Sequence, residues 1–247
     1  MSFAEFSPLI TALILLLAVT MAVLAVARVP LHWTPPAAVL RAVAQLGFIA
    51  LVLGTVITNP GWVFLALAVM FSVATVTSAR RLGFTWERLG IVAAAMFCGV
   101  IVASAIVFLS GAIPFTARYL LAVGGIVIGN SMSISTLAGR RLFSDANKRW
   151  DEIEGWLSIG ATPRQASAII RRESIREALI PSIDQTKTVG LVTLPGTFVG
   201  AIFGGASPLE AGVFQVLVLA AILAAGAITS ALLLFGLAKI PQKPPVI

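Results

Sequence analysis

Two groups of polar residues stand inside otherwise apolar stretches of this sequence, and both have the chemistry of an ion path. The first is Asn130 with Ser131 and Ser133, preceded by Gly124-Gly125 and Gly129 and followed by Ser135-Thr136. A carboxamide surrounded by apolar residues must find partners. Its carbonyl can line a cation path, or the amide can clamp one helix to another; the residues allow both. The second group is Thr193 with Leu194-Pro195-Gly196. Proline removes a backbone donor, and a broken helix in a membrane is tolerated where the freed groups are buried in protein or line a water-filled path. Breaks of this kind often mark the substrate site of transporters, although a simple proline kink fits the same residues. Asn130, Ser131, Ser133, Thr193, Pro195 and Gly196 are therefore the candidate lining of a translocation path.

Other reactive side chains are scattered. Met70, Met96, Met132 and Cys98 are soft enough for a transition metal, but they share no spacing and methionine is common filler, so metal ligands stay unassigned. His32 is the single histidine. Gln45 and Gln215 are read as interhelical hydrogen bonds. Asp184 and Lys187, three residues apart, are placed at the cytosolic start of a span, where they pair on one helix face as a structural staple. On this reading no carboxylate lies deep in any span, since Glu5, Asp184 and Glu210 sit at boundaries and Glu87 in a loop. A proton- or sodium-driven carrier generally needs such a group, so the energy is expected to come from elsewhere, or the substrate to move downhill. Lys187-Thr188 lacks the glycines of a phosphate-binding loop, and no hydrolase motif is present. The chain is not expected to be an enzyme, and no cofactor is expected.

These residues are carried by a chain that is 59% hydrophobic and only 11% charged over 247 residues, with mean hydropathy +1.02. Soluble domains carry about 25% charged residues, so this is an integral membrane protein. The net charge of +7 does not point to nucleic acid, because no soluble basic domain exists to bind it. A crossing helix needs about 20 apolar residues. That length gives seven spans, at about 8–27, 42–58, 62–79, 89–110, 116–139, 186–205 and 212–237. The first follows no basic residue and is read as a retained span rather than a signal peptide. Basic residues favour the cytoplasm. With the N-terminus outside and the C-terminus inside, sixteen of the seventeen basic residues fall inside and only Arg118 outside. Asn59-Pro60-Gly61 is expected to turn outside the membrane, and Pro30, Pro35 and Pro36 around Trp33 to stiffen an internal connection. The tail from 241 to 247 is too proline-rich for a helix. Small residues four apart let helices approach closely, so Gly196, Gly200 and Gly204 are expected to pack the sixth span tightly on the fifth. The fold is all-α, one transmembrane domain over residues 1–247.

The polar exception is the stretch 145–187, which holds seven of the ten acidic and seven of the seventeen basic residues. Trp150, Ile153, Leu157 and Gly160 recur at helical spacing, predicting an amphipathic helix. Thr162-Pro163-Arg164-Gln165 predicts a second helix from 163, with a capping box and a proline in its first turn. Its apolar residues change sides: Ala166, Ile169 and Ile170 precede Arg171-Arg172-Glu173, and Ile175, Ala178 and Leu179 follow roughly half a turn around. The first half is thus expected to meet one surface and the second half another, with Pro181 ending or kinking the helix. A helical pair of this kind suits a coupling element that takes a push from a soluble motor. It suits an amphipathic loop resting on headgroups equally well.

The run LSIGATPRQASAIIRRESIREALIPSIDQTKTVGLVTLPG, from Leu157 to Gly196, resembles the signature region of the FetB-like family of ABC transporter permeases, whose relatives include plant aluminium-tolerance proteins. The resemblance implies a membrane subunit acting as a homodimer with two copies of a separate ABC-type ATP-binding subunit and exporting a metal cation, iron, through the bilayer. The coupling contact then falls to Trp156, Leu157, Ile159, Gly160, Ala161, Thr162 and Pro163. Gly160 and Pro181 stand further apart than the matching residues of the importer motif, so importer geometry does not transfer position by position. A facilitative channel or carrier is the alternative.

Overall fold

The computed structural model of the protein describes residues 3–31, 33–56 and 60–238. Ten helices make up the regular structure of these residues: α1 (Phe3–Val26), α2 (Thr34–Val56), α3 (Pro60–Arg81), α4 (Trp86–Leu109), α5 (Ala117–Lys148), α6 (Trp150–Ser158), α7 (Pro163–Ala166), α8 (Ala168–Thr188), α9 (Gly196–Phe203) and α10 (Pro208–Leu237). Among the described residues, six stretches are long and apolar enough to cross a bilayer: Ser7–Val26, Thr34–Leu51, Gly61–Arg81, Trp86–Leu109, Ala117–Lys148 and Pro208–Leu237. His32, Asn59, Lys239, Lys243 and the proline-rich tail lie outside the described residues, and so do the roles expected of them.

The chain forms two compact units, Met1–Thr58 and Asn59–Ile247. In the first, α1 and α2 are exposed over nearly all their described side chains. Helix α2 begins well before residue 42 because Pro35 and Pro36 occupy its first turn, where a missing N–H has no intrahelical acceptor to disappoint. Gln45 is exposed there.

The second unit is a bundle whose helix directions follow from its close contacts. Leu67 and Met70 of α3 and Leu82 just past its end lie against Gly124, Gly125 and Gly139 of α5, a nearly constant offset, so the two helices run parallel. The Tyr119 ring lies tilted against Phe214, and Ile134 reaches Gly226, so α10 also runs parallel to α5. Helix α4 is antiparallel to α10, with Gly99 against Ala225 and Thr229, and Ile91 against Gly236. Lipid offers no hydrophobic drive for helix pairing, so small residues at crossings and buried hydroxyl bonds hold the bundle. Ser78 of α3 and Ser135 of α5 share a 2.7 Å hydrogen bond, and Thr136 donates to Ser78 at 3.3 Å. Arg88 closes the charged end. Its Nη1 donates to the carbonyls of Leu82 and Gly83 at 2.7 Å each, and its guanidinium lies over the Phe143 ring.

The predicted sixth span is not a continuous helix. Helix α8 runs through Pro181 to Thr188, and residues 189–195 then turn before α9 begins. Gly190, at φ 84°, donates its N–H to the Thr193 carbonyl at 2.9 Å. Helix cannot resume until after Leu194-Pro195, because a residue before proline is driven out of the helical region. Arg171 over Phe235, Leu179 against Gly226, Thr197 bonded to Gln215 and Phe198 beside Gly212 show the two pieces following α10 antiparallel, from its C-terminal end to its N-terminal end. The close packing expected at Gly196 and Gly200 is not made within the chain, since nothing stands within 4 Å of a Cβ built at either.

Candidate functional site

At the charged end of the bundle, α5 continues past Arg140 and Arg141 to Lys148 and hands over to α6 at Arg149. The apolar face predicted for α6 turns inward: Ile153 is 1% exposed, and Trp150 and Leu157 pack on the core beside it. Helix α6 is therefore fastened to the bundle, and its opposite edge is left open. Trp156 (51% exposed) and Ile159 (75% exposed) line a cleft of about 390 Å³ with Gly160, Ala161, Gln165 and Ile169. Gly160 makes the corner at φ +92°, a conformation that favours glycine.

The capping box at Thr162 closes by a variant of the predicted route. The Thr162 N–H donates to Gln165 Oε1 at 2.9 Å as expected, but the hydroxyl donates to the same oxygen at 2.8 Å, and the Gln165 N–H goes to the Thr162 carbonyl. Pro163 stands in the first turn of α7. That helix lasts one turn, because the Ser167 hydroxyl bonds the Pro163 carbonyl at 2.8 Å and the chain kinks into α8. The side-switch read in the sequence is present in part. Ala166 and Ile169 border the cleft, while Ile170, Ile175, Ala178 and Leu179 face the core.

Arg149 ties α6 to α8, bonding Glu152 and Glu173 at 2.7 Å each. The hydrogen bond from Arg149 holds the Glu152 carboxyl below its ordinary range, and the same bond raises the Arg149 guanidinium. A depressed carboxyl contributes its stabilisation above its unfolded pKa and loses it as pH falls through the folded value. Hydrogen exchange of the α6 amides, corrected for intrinsic rate, is therefore expected to be flat above about pH 5 and to accelerate below about pH 4. Arg149→Ala is expected to show the faster exchange at every pH.

The second candidate region lies in the body of the bundle. Ser131 is buried with its hydroxyl unpartnered, and Ser133 is exposed. Asn130 donates to the carbonyl of Ile126 in its own helix at 2.9 Å. The clamp between helices is made by Ser135 and Thr136 instead. Thr193, exposed, belongs to the turn after α8; Pro195 caps α9 and Gly196 begins it. Gln215, 4% exposed, accepts from Thr197, the interhelical bond its position predicted.

Asp184 and Lys187 do pair, at 3.2 Å, and they do so in the last two turns of α8. They stand between Leu179, level with Gly226, and Thr197, level with Gln215, which puts them opposite the middle of α10. Helical rise carries Asp184 about 10 Å along α8 beyond Glu177, whose carboxylate pairs with Arg141 at 3.0 Å at the charged end. The sequence reading began the span at 186; the helix that carries Asp184 begins at Ala168, so Asp184 is its seventeenth residue. The side chains of Asp184 and Lys187 are 59% and 69% exposed on this chain. A charged residue at the centre of hydrocarbon costs about 2.5–3.5 kcal/mol on insertion scales, so this face of α8 is unsuited to lipid.

Soft donors do not converge. Met96 is buried beside Ser135, Met70 lies over Gly125, and Cys98 is exposed. Among the described residues no group of three His, Cys, Asp or Glu could hold a metal ion.

Apolar helices of crossing length, packed through glycine and hydroxyl contacts, with a broken companion to the last and a polar hairpin at one end, define a multi-pass membrane protein. The chain belongs to the UPF0014 family, described as an uncharacterised protein family, which it matches over residues 7–240. It is 38% identical over 197 residues to the UPF0014 membrane protein STAR2 of Oryza sativa subsp. japonica, covering 79% of this chain and 69% of that one. It is 33% identical over 192 residues to the protein ALUMINUM SENSITIVE 3 of Arabidopsis thaliana, covering 77% and 70%. It is 42% identical over 124 residues to the "Probable iron export permease protein FetB" of Escherichia coli (strain K12), covering 50% and 48%. The resemblance read from Leu157 to Gly196 thus holds. No solved structure matches the chain.

Proposed function

We propose that this membrane permease is the transmembrane subunit of an ABC transporter, a homodimer that carries metal cations out of the cytoplasm under the power of two separate ATP-binding subunits. The observation that carries the reading is the cleft at the charged end. Two large apolar side chains, Trp156 and Ile159, are held in the open by a helix whose other face is buried, and an open apolar cleft on a rigid support fits a docking surface better than a loop lying on headgroups. Export and iron are supported by the name of the Escherichia coli relative.

The topology in this reading has the N-terminus outside and the C-terminus inside. Seven crossings serve it, the sixth being the broken α8–α9 pair. Arg80, Arg81, Arg88, Arg140 and Arg141 then face the cytoplasm with α6 and α7, as basic residues prefer. ATP hydrolysis resides in the partner chain. The chain reconstituted with its cognate ATPase is expected to raise ATP turnover and to drive metal uptake into inverted vesicles when tested across a panel of ions. Unchanged turnover would sink the proposal.

One observation favours a second reading, an ion-coupled carrier, over the facilitative channel or carrier weighed from the sequence: the carboxylate of Asp184 lies level with the middle of α10. The same vesicles separate the two readings, because a carrier moves metal along an imposed ion gradient without nucleotide.

A further inference from the structure

The polar residues of α5 and α8 fall on one seam. The Arg141–Glu177 bridge marks where the two helices face each other. Asp184 and Thr188 lie seven and eleven residues beyond Glu177, and Asn130 lies eleven before Arg141. Seven and eleven residues are close to whole turns of an α-helix, so all three repeat the bridging face. Because the helices are antiparallel and Ile134 and Leu179 meet at Gly226, Asn130 falls at about the depth of Asp184, with Thr188 about 6 Å further from the charged end. The seam thus offers a carboxylate and an amide at one depth and a hydroxyl about 6 Å further in, and it stops at the turn 189–195. From Ile180 to Leu194 no residue of α8 or its turn is buried.

We propose that this seam is a water-filled cation path and that Asp184 is its mid-depth binding carboxylate, with Asn130 and Thr188 as neutral oxygen donors and Lys187 as a built-in counter-ion. Oxygen donors of this kind select hard or borderline divalent cations over soft ones. Without a cation Lys187 neutralises Asp184 at 3.2 Å; an arriving cation displaces the ammonium from the carboxylate into the water of the path, so cation and Lys187 compete for Asp184. The inference rests on the transport reading but not on its ATPase, and the test needs no nucleotide.

In a Cys98→Ala background in inverted vesicles, Thr188→Cys and Asp184→Cys are to be labelled with a membrane-impermeant thiol reagent. Both are expected to react at least tenfold faster than Ile101→Cys, a control on an exposed position of α4. With the carboxylate intact, millimolar Mn²⁺ is expected to slow labelling of Thr188→Cys at least threefold, and adding Asp184→Asn is expected to remove the protection. Should Asp184→Asn fail to fold, Lys187→Met serves instead, and protection is then expected at lower Mn²⁺. Labelling at the control rate overturns the proposal and makes the face a dry interface between copies. Fast labelling that Mn²⁺ does not slow, or slows equally without the carboxylate, overturns the site. A failure of ATPase stimulation leaves these readouts unchanged and tells against the ABC reading alone.

Discussion

Truncating Trp156 and Ile159 together to alanine is expected to cut ATPase stimulation at least thirtyfold while leaving the permease folded. The two side chains are 51% and 75% exposed, so shortening them removes little that the chain itself packs on. Central aromatic and aliphatic anchors of an interface are each worth about 2 kcal/mol or more when buried by a partner, and a loss of 2 kcal/mol is about thirtyfold in affinity. Leu157 does not belong in this test. It packs against the core with Ile153, so Leu157→Ala confounds docking with folding. The measurement is ATP turnover of the reconstituted complex against partner concentration, with size-exclusion of the detergent-solubilised variant as the folding control. Full stimulation by the folded double variant would remove the cleft from the coupling path.

Gly99→Val is expected to destabilise the bundle by about 3 kcal/mol, the largest loss foreseen for a single substitution outside the two candidate regions. A Cβ at Gly99 falls 2.6 Å from the Ala225 carbonyl oxygen and closer still to Thr229. A flexible neighbour can turn away, but a backbone carbonyl moves only if α10 moves. The α4–α10 crossing must therefore widen along its length, and interiors tolerate this poorly because they are packed to crystal-like density. Gly90, in the same helix, has nothing within 4 Å of its would-be Cβ. Gly90→Ala is expected to be neutral or to stabilise by up to about 1 kcal/mol through helix propensity. Thermal melting of the purified protein reads both, and equal effects at the two positions would mean that the close crossing is not what holds α4.

The mid-depth position of Asp184 bears on energetics as well as on site. A carboxylate level with the middle of α10 keeps ion coupling open as a mechanism, so the proposal of an external motor rests on the cleft at the charged end. Local spacing put Asp184 at a boundary because a hydropathy window passes over a helix as polar as α8. Seven charged residues in α8 hide a segment that follows α10 into the middle of the bundle.

The amino-acid sequence by itself determined the membrane class, six of the seven spans counted from it, the amphipathic face of α6, the corner at Gly160-Thr162-Pro163 and the family. Each of these depends on neighbours within one or two turns or on bulk apolarity, and both are local properties. The tertiary structure decided which small residues make contact: Gly99, Gly124, Gly139, Gly226 and Gly236 meet other helices, whereas Gly196 and Gly200, equally regular in sequence, do not. It decided that Ser135 and Thr136, rather than Asn130, join two helices. It also decided the depth of Asp184 and Lys187. Depth depends on where a helix lies against its partners, and the pairings that set it here, Leu179 with Gly226 and Thr197 with Gln215, join residues 47 and 18 positions apart that only folding brings together.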